Sequence, residues 1–232
     1  MAWYLYQGVN FYGPGFVQAE EPEGKGPINF RGVGSFTPVN PRAIPRVFRQ
    51  RAPHKAGIGD ITLVDGSVAV NQRFKDLVER FEPDMHLFVP IRLERSNGDL
   101  IDGDWYFFAI QQDVDCILTK LDEQSHFVET YAGGWRYSLG GLAPTSSRKL
   151  HMSLPAVAGK HLWTAGLLGC DDAFVSDEFA TAYRKSRFRS VLSLDSKVEI
   201  VDEVWVAEEQ MGPYLPNWKQ FEASGRTDRS AW

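Results

Sequence analysis

The sequence predicts an α+β fold: a single mixed or antiparallel sheet, two short capped helices packed on it, and a Gly/Pro-rich N-terminal arm. Three observations carry that prediction. Short, apolar, β-prone runs recur along the chain and are separated by turn dipeptides. Two segments, one near residues 68–78 and one near 173–183, each read as a strand, a polar cap and an amphipathic helix. Seven of the thirteen prolines fall within residues 8–60, where they disfavour long helices and central strands.

Trp3–Tyr6 is an aromatic, β-prone opening, expected at or near a sheet edge. The following stretch holds GPG at 13–15, EPEGKGP at 21–27 and NPRAIPR at 40–46. It is expected to run as an extended arm over the core, with Phe11, Phe16, Ile28, Phe30 and Phe36 as anchors. Those aromatics argue against disorder. Arg42, Arg46, Arg49, Arg51 and Lys55 form a basic run, best explained as a solvated or locally paired surface. The expected division is an arm over 1–60, an α+β core over 61–212 and a tail over 213–232.

Asp60–Val64 and Ser67–Val70 flank Asp65-Gly66, a two-residue hairpin signal. Asn71 then caps a helix over 72–81 that stops before Pro83, with Phe74, Leu77 and Val78 on one face. Leu87–Leu93 and Trp105–Gln111 are strands on either side of an Asn97-Gly98 turn. Phe127–Tyr131 can pair with Trp135–Leu139. Ser176 caps the second helix, over 177–186. Asp177 and Glu178 lie at its positive end and Arg184 and Lys185 at its negative end. Phe179, Ala182 and Tyr183 form its apolar face, repeating the spacing of Phe74, Leu77 and Val78 after Asn71. A recurring strand–cap–helix device explains this repetition better than a duplication. Val198–Ile200 and Val204–Val206 look like late strands around Asp202-Glu203.

Composition bounds the function classes. With 232 residues the chain can bury a full core without a metal or disulfide staple. Its formal net charge of −5 argues against nucleic acid as the partner. Cys116 and Cys170 lack CxxC-type spacing and read as buried thiols of a reducing compartment. MAWYLYQG lacks the features of a signal peptide, and no apolar run is long enough for a membrane span, so a cytoplasmic location is expected.

Catalytic patterns are sparse. His54, His86, His126, His151 and His161 show no HExxH or HxH spacing, and GxSxG, Walker A and GxGxxG motifs are absent. Cys170-Asp171-Asp172 with His161 is more simply a structural turn than a nucleophile and base. The series Asp99, Asp102, Asp104, Asp113 and Asp115 lacks calcium-loop spacing. No catalytic residue, cofactor or metal is expected. Charge placement says more: Glu199, Asp202, Glu203, Glu208 and Glu209 crowd around Trp205 with no Lys or Arg among them, and Trp218 follows. Either this is a docking face for a basic protein, with Trp205 or Trp218 as anchors, or it is a solvated acidic strand edge with Trp205 in the core.

The order of these pieces resembles a known family. Asp60–Val64 leads into VAVNQRF and a helix, then LFVPIRL, then Trp105–Ile110 with Asp113-Val114-Asp115 after it. HLWTA, AFVSDEF, a helix and a closing strand come later. The pattern resembles bacterial polymorphic-toxin immunity proteins of the eleventh numbered immunity family, first catalogued as a domain of unknown function. It covers roughly residues 60–195, and its most specific piece is Val175–Phe179. The resemblance implies a non-enzymatic cytoplasmic protein that binds and blocks a cognate secreted toxin, a nuclease being the expected class. It carries no catalytic residues. The other reading is a small cytoplasmic hydrolase or transferase with a site dispersed in sequence.

Overall fold

In the computed structural model the described residues are 2–7, 15–23, 40–53, 57–121, 126–129, 135–138, 150–165, 173–206 and 209–210. The first half of the chain supplies strands β1 (Ala2–Gln7), β2 (Phe16–Gln18), β3 (Val47–Gln50), β4 (Ile61–Val64), β5 (Ser67–Asn71), β6 (Leu87–Glu94) and β7 (Trp105–Ala109). The second supplies β8 (His126–Glu129), β9 (Trp135–Ser138), β10 (Leu150–Ser153), β11 (Leu162–Thr164), β12 (Ala173–Ser176) and β13 (Leu192–Val201). Helix α1 is Gln72–Phe81, α2 is the single turn Leu154–Val157, and α3 is Asp177–Ser186.

The strands form two main sheets, which overturns the expectation of a single sheet. Six strands close a barrel in the order β2-β3-β6-β7-β5-β4, shut by the parallel pairing of Phe16 with Val64. A separate five-stranded sheet has the order β10-β13-β1-β12-β11, and among the described residues β8 and β9 form a two-stranded pair of their own. The protein is therefore mostly β, not a helix-covered α+β sheet. The physical reason lies in strands that are apolar on both sides. In β5, Ala69 faces the barrel interior while Val68 and Val70 face outward, and all three are buried. Phe107 and Phe108 of β7 divide in the same way. Alternation along a strand sends neighbouring residues to opposite faces, so such a strand needs a core on each side.

The N-terminal arm also needs correction. Phe16–Gln18 and Val47–Gln50 are barrel strands, and neither contains a proline: five of the seven in this stretch fall between them in sequence, one before and one after. Phe16 fills the barrel beside Ile44, Phe48, Leu93 and Trp105. The expected anchors Phe11, Ile28, Phe30 and Phe36 lie outside the described residues. Strand β1 sits in the middle of its sheet, between β12 and β13, and not at an edge.

Both helices form where their local signals place them. The Asn71 side chain accepts from the Phe74 amide, and the Ser176 hydroxyl accepts from the Phe179 amide, each at 3.2 Å. Arg187 closes α3 in the left-handed conformation. The hairpin turn is made by Asp65 and Gly66, with φ of 50° and 85°, as a turn matched to strand twist requires.

The two helices lie against one shared core between the barrel and the five-stranded sheet. Phe74 meets Phe108 of the barrel edge-on at 5.4 Å and Tyr183 of α3 at 6.3 Å. Phe81 meets Phe179 at 5.4 Å. Leu5, Leu162, Ala173 and Val175 complete this core from the second sheet. Ala180, not Ala182, is the fully buried alanine of α3. Polar ties reinforce the seam. Asp60 accepts from Asn71, from Arg73 and from the Arg189 amide at 2.7–2.9 Å. At Gly59 the chain passes so near Arg189 that an added Cβ would lie 2.5 Å from its carbonyl oxygen.

The far face of the five-stranded sheet covers a further core of Ala2, Cys116, Ile117, Leu150, Met152, Trp163 and Phe174. Residues 112–118 pass beneath this face: Val114 bonds to Thr164 on β11, while Leu118 and Cys116 bond to β10. That crossing brings the following residues to the end of β13.

Candidate functional site

Strand β13 runs parallel to β10, with His151 opposite Glu199 and Ser153 opposite Val201. At Asp202 the chain leaves the sheet. The expected second strand over Val204–Val206 does not form. Instead, side chains seat the segment. The Ser153 hydroxyl donates to the Glu203 carbonyl at 2.5 Å, and the Thr119 hydroxyl donates to the Gln210 carbonyl at 2.7 Å. The Lys120 amide donates to the Gln210 side chain at 3.3 Å. Lys120 is the central post: its ammonium lies 2.6 Å from the Glu209 carboxylate and 3.5 Å from that of Glu203. The Glu209 hydrogen bond, aided by Glu203, holds the Lys120 ammonium above its ordinary pKa, so it stays charged.

The acidic residues nominated from the sequence differ in situation. Glu199, Asp202 and Glu209 are exposed and Glu203 is half-buried, and Glu203 and Glu209 share Lys120. Trp205 is half-buried and packs against the far-face core. Glu208 and Trp218 lie outside the described residues. Four apolar side chains at this end were not nominated: Leu121, Leu154, Val204 and Val206, all exposed. Alternation of Val204 and Val206 about the inward Trp205 was a readable signal. Nothing in the sequence joins Leu121 or Leu154 to them.

A second polar group lies at the seam between the sheets. Glu82, the C-cap of α1, accepts from His86 Nε2 at 2.6 Å, from the His161 amide at 2.7 Å and from Gln112 at 2.8 Å. The Gln111 amide donates to His86 Nδ1, which places the ring proton on Nε2. Burial raises the Glu82 pKa, but the bond from His86, then those from His161 and Gln112, outweigh it and hold the carboxyl below its ordinary value. His161 Nδ1 lies 2.8 Å from the Ser176 hydroxyl. The same hydroxyl accepts from the Phe179 amide as the α3 cap. The His86 side chain is fully enclosed. These groups latch α1 to the second sheet and are spent on one another. Burial pushes the Cys116 thiol pKa well up, which leaves it a poor nucleophile. Cys170 lies outside the described residues.

No group of His, Cys, Asp and Glu among the described residues has the arrangement to hold a metal ion. No helix among them is long and apolar enough to cross a membrane. An open groove of about 650 Å³ lies between α1 and α3, lined by Arg80, Asp177, Glu178, Thr181 and Lys185.

These features define a β-barrel protein fused to a second sheet, with an exposed acidic and apolar end. The chain belongs to the immunity protein family (Imm11), whose sequence profile matches residues 31–195. The match takes in β3 through β12, all three helices and the start of β13. It begins earlier than the residues near 60 that carry the resemblance, and it stops before the acidic segment. A comparison with curated proteins finds no match.

Proposed function

We propose that the protein neutralises a cognate secreted toxin by binding it in the cytoplasm, without catalysis. The observation that carries this reading is the family match over residues 31–195. The toxin is a nuclease in this reading, because an enzyme that holds phosphates presents a basic surface, and the acidic segment is suited to such a surface. The docking residues are Glu199, Asp202, Glu203, Glu208 and Glu209, backed by Trp205 and joined by Trp218. Complementary charge raises association rates above the roughly 10⁵–10⁶ M⁻¹s⁻¹ of unsteered encounters, which suits an inhibitor that must reach the toxin before it acts.

The test is rescue. Expression of this chain should protect cells from one cognate toxin, sought first among the genes beside it, and from no unrelated toxin. Cells killed by that toxin despite abundant folded protein would overturn the reading.

A further inference from the structure

Six large apolar side chains are exposed among the described residues, and four of them, Leu121, Leu154, Val204 and Val206, belong to the pieces of chain that Lys120 and Ser153 tie to Glu203. Leu154 follows Ser153, whose hydroxyl bonds the Glu203 carbonyl, and Val204 follows Glu203 directly. Leu121 follows Lys120, which reaches both Glu203 and Glu209. One ring of polar bonds thus gathers three separate stretches of sequence and leaves an apolar residue of each in solvent. Val204 is 64% exposed although its neighbour Trp205 is packed inward. Single exposed apolar residues need no explanation, but a cluster with a charged rim marks an interaction surface. Here the rim is acidic: Glu199, Asp202 and Glu209 are exposed, and residues 198–210 contain no Lys or Arg.

We infer that Leu121, Leu154, Val204 and Val206 are the apolar anchor of a docking surface whose occupant is a toxin face with an apolar centre and a Lys/Arg rim. The inference rests on the immunity reading and deepens it by separating two roles. The rim steers the encounter, and the apolar cluster holds the complex once formed. A second copy of this chain is a poor occupant, because a two-fold contact would set the same patch against itself and oppose acid to acid. Trp205 supports the cluster from behind, so its replacement would disturb the core as well as the surface.

The experiment uses the full chain and a catalytically inactive form of the toxin identified by the rescue test. The Leu154→Ser/Val204→Ser double variant should dissociate at least about tenfold faster than wild type with little change in association rate. Asp202→Lys should slow association and flatten its salt dependence, with an unchanged melting temperature. A folded double variant that binds within twofold of wild type overturns the surface, while wild-type binding leaves the immunity reading standing. Failure of the wild-type protein to bind overturns both. Light scattering that shows a dimer broken by the double substitution would assign the patch to a second copy and also overturn the inference. Should the double variant misfold, Val204→Ser alone carries the same comparison.

Discussion

Glu82 ends helix α1, yet its carboxylate gathers donors from three other places: His86, the His161 amide at the start of β11, and Gln112 in the crossing segment. An enclosed carboxylate with this many donors is held in its charged form, and its pKa in the fold lies below the ordinary value. The sign of the linkage follows. A depressed carboxyl contributes stability that is fully present above its unfolded pKa, near about 4.3, and lost as pH falls through the folded value. Glu82→Gln should therefore cost about 1–3 kcal/mol at neutral pH and weaken the loss of stability between about pH 5 and pH 3. Urea melts across that range check it, and a variant with wild-type acid sensitivity would move the linkage to another group. Asp60, whose pKa is also lowered, would be the next to replace. Burial raises that pKa, but the Arg189 amide and the bonds from Asn71 and Arg73 outweigh it.

At the level of elements, what was legible in the sequence had a local cause. Asn71 and Ser176 announce α1 and α3 because a cap acts within its own helical turn, and Asp65-Gly66 announces its hairpin because two positive φ angles are needed side by side. Sheet membership is not local. The run from Trp105 to Ile110 is compatible with any strand of a single sheet, and only the partners of β7 reveal that its two faces serve different cores. The prolines around β2 and β3 suggested an arm because composition was averaged over a long stretch, while the strands within it are only three and four residues long. The acidic end was visible as charge, but its apolar half was not, since Leu121 and Leu154 reach Val204 only through Lys120 and Ser153. The paired helix faces give a direct check. Phe74 and Phe179 are both fully buried, and Phe→Ala at either should cost about 3–5 kcal/mol in denaturant melts. A cost under about 1 kcal/mol at either site would show that its face does not carry the seam.

For the whole molecule, the central question is whether the barrel and the second sheet are separate units. Their shared core draws Val68, Val70 and Phe108 from one and Leu5, Ala173 and Val175 from the other, with both helices between. Neither sheet can open that face to water alone without exposing the other, so the two should unfold in a single transition by fluorescence and circular dichroism. Two resolved transitions would show that the seam is weaker than its packing indicates. The central place of β1 has a further consequence, for synthesis. Trp3 on β1 bonds to Asp177, 174 positions later, and both strand partners of β1 lie in that distant region. Every barrel strand lies within residues 16–109, so the barrel can close during translation. At roughly 5–20 residues per second, β1 waits on the order of 10–40 s in all, the last 3–18 s or so as an unpaired aromatic strand beside a finished barrel, until the ribosome delivers its neighbours.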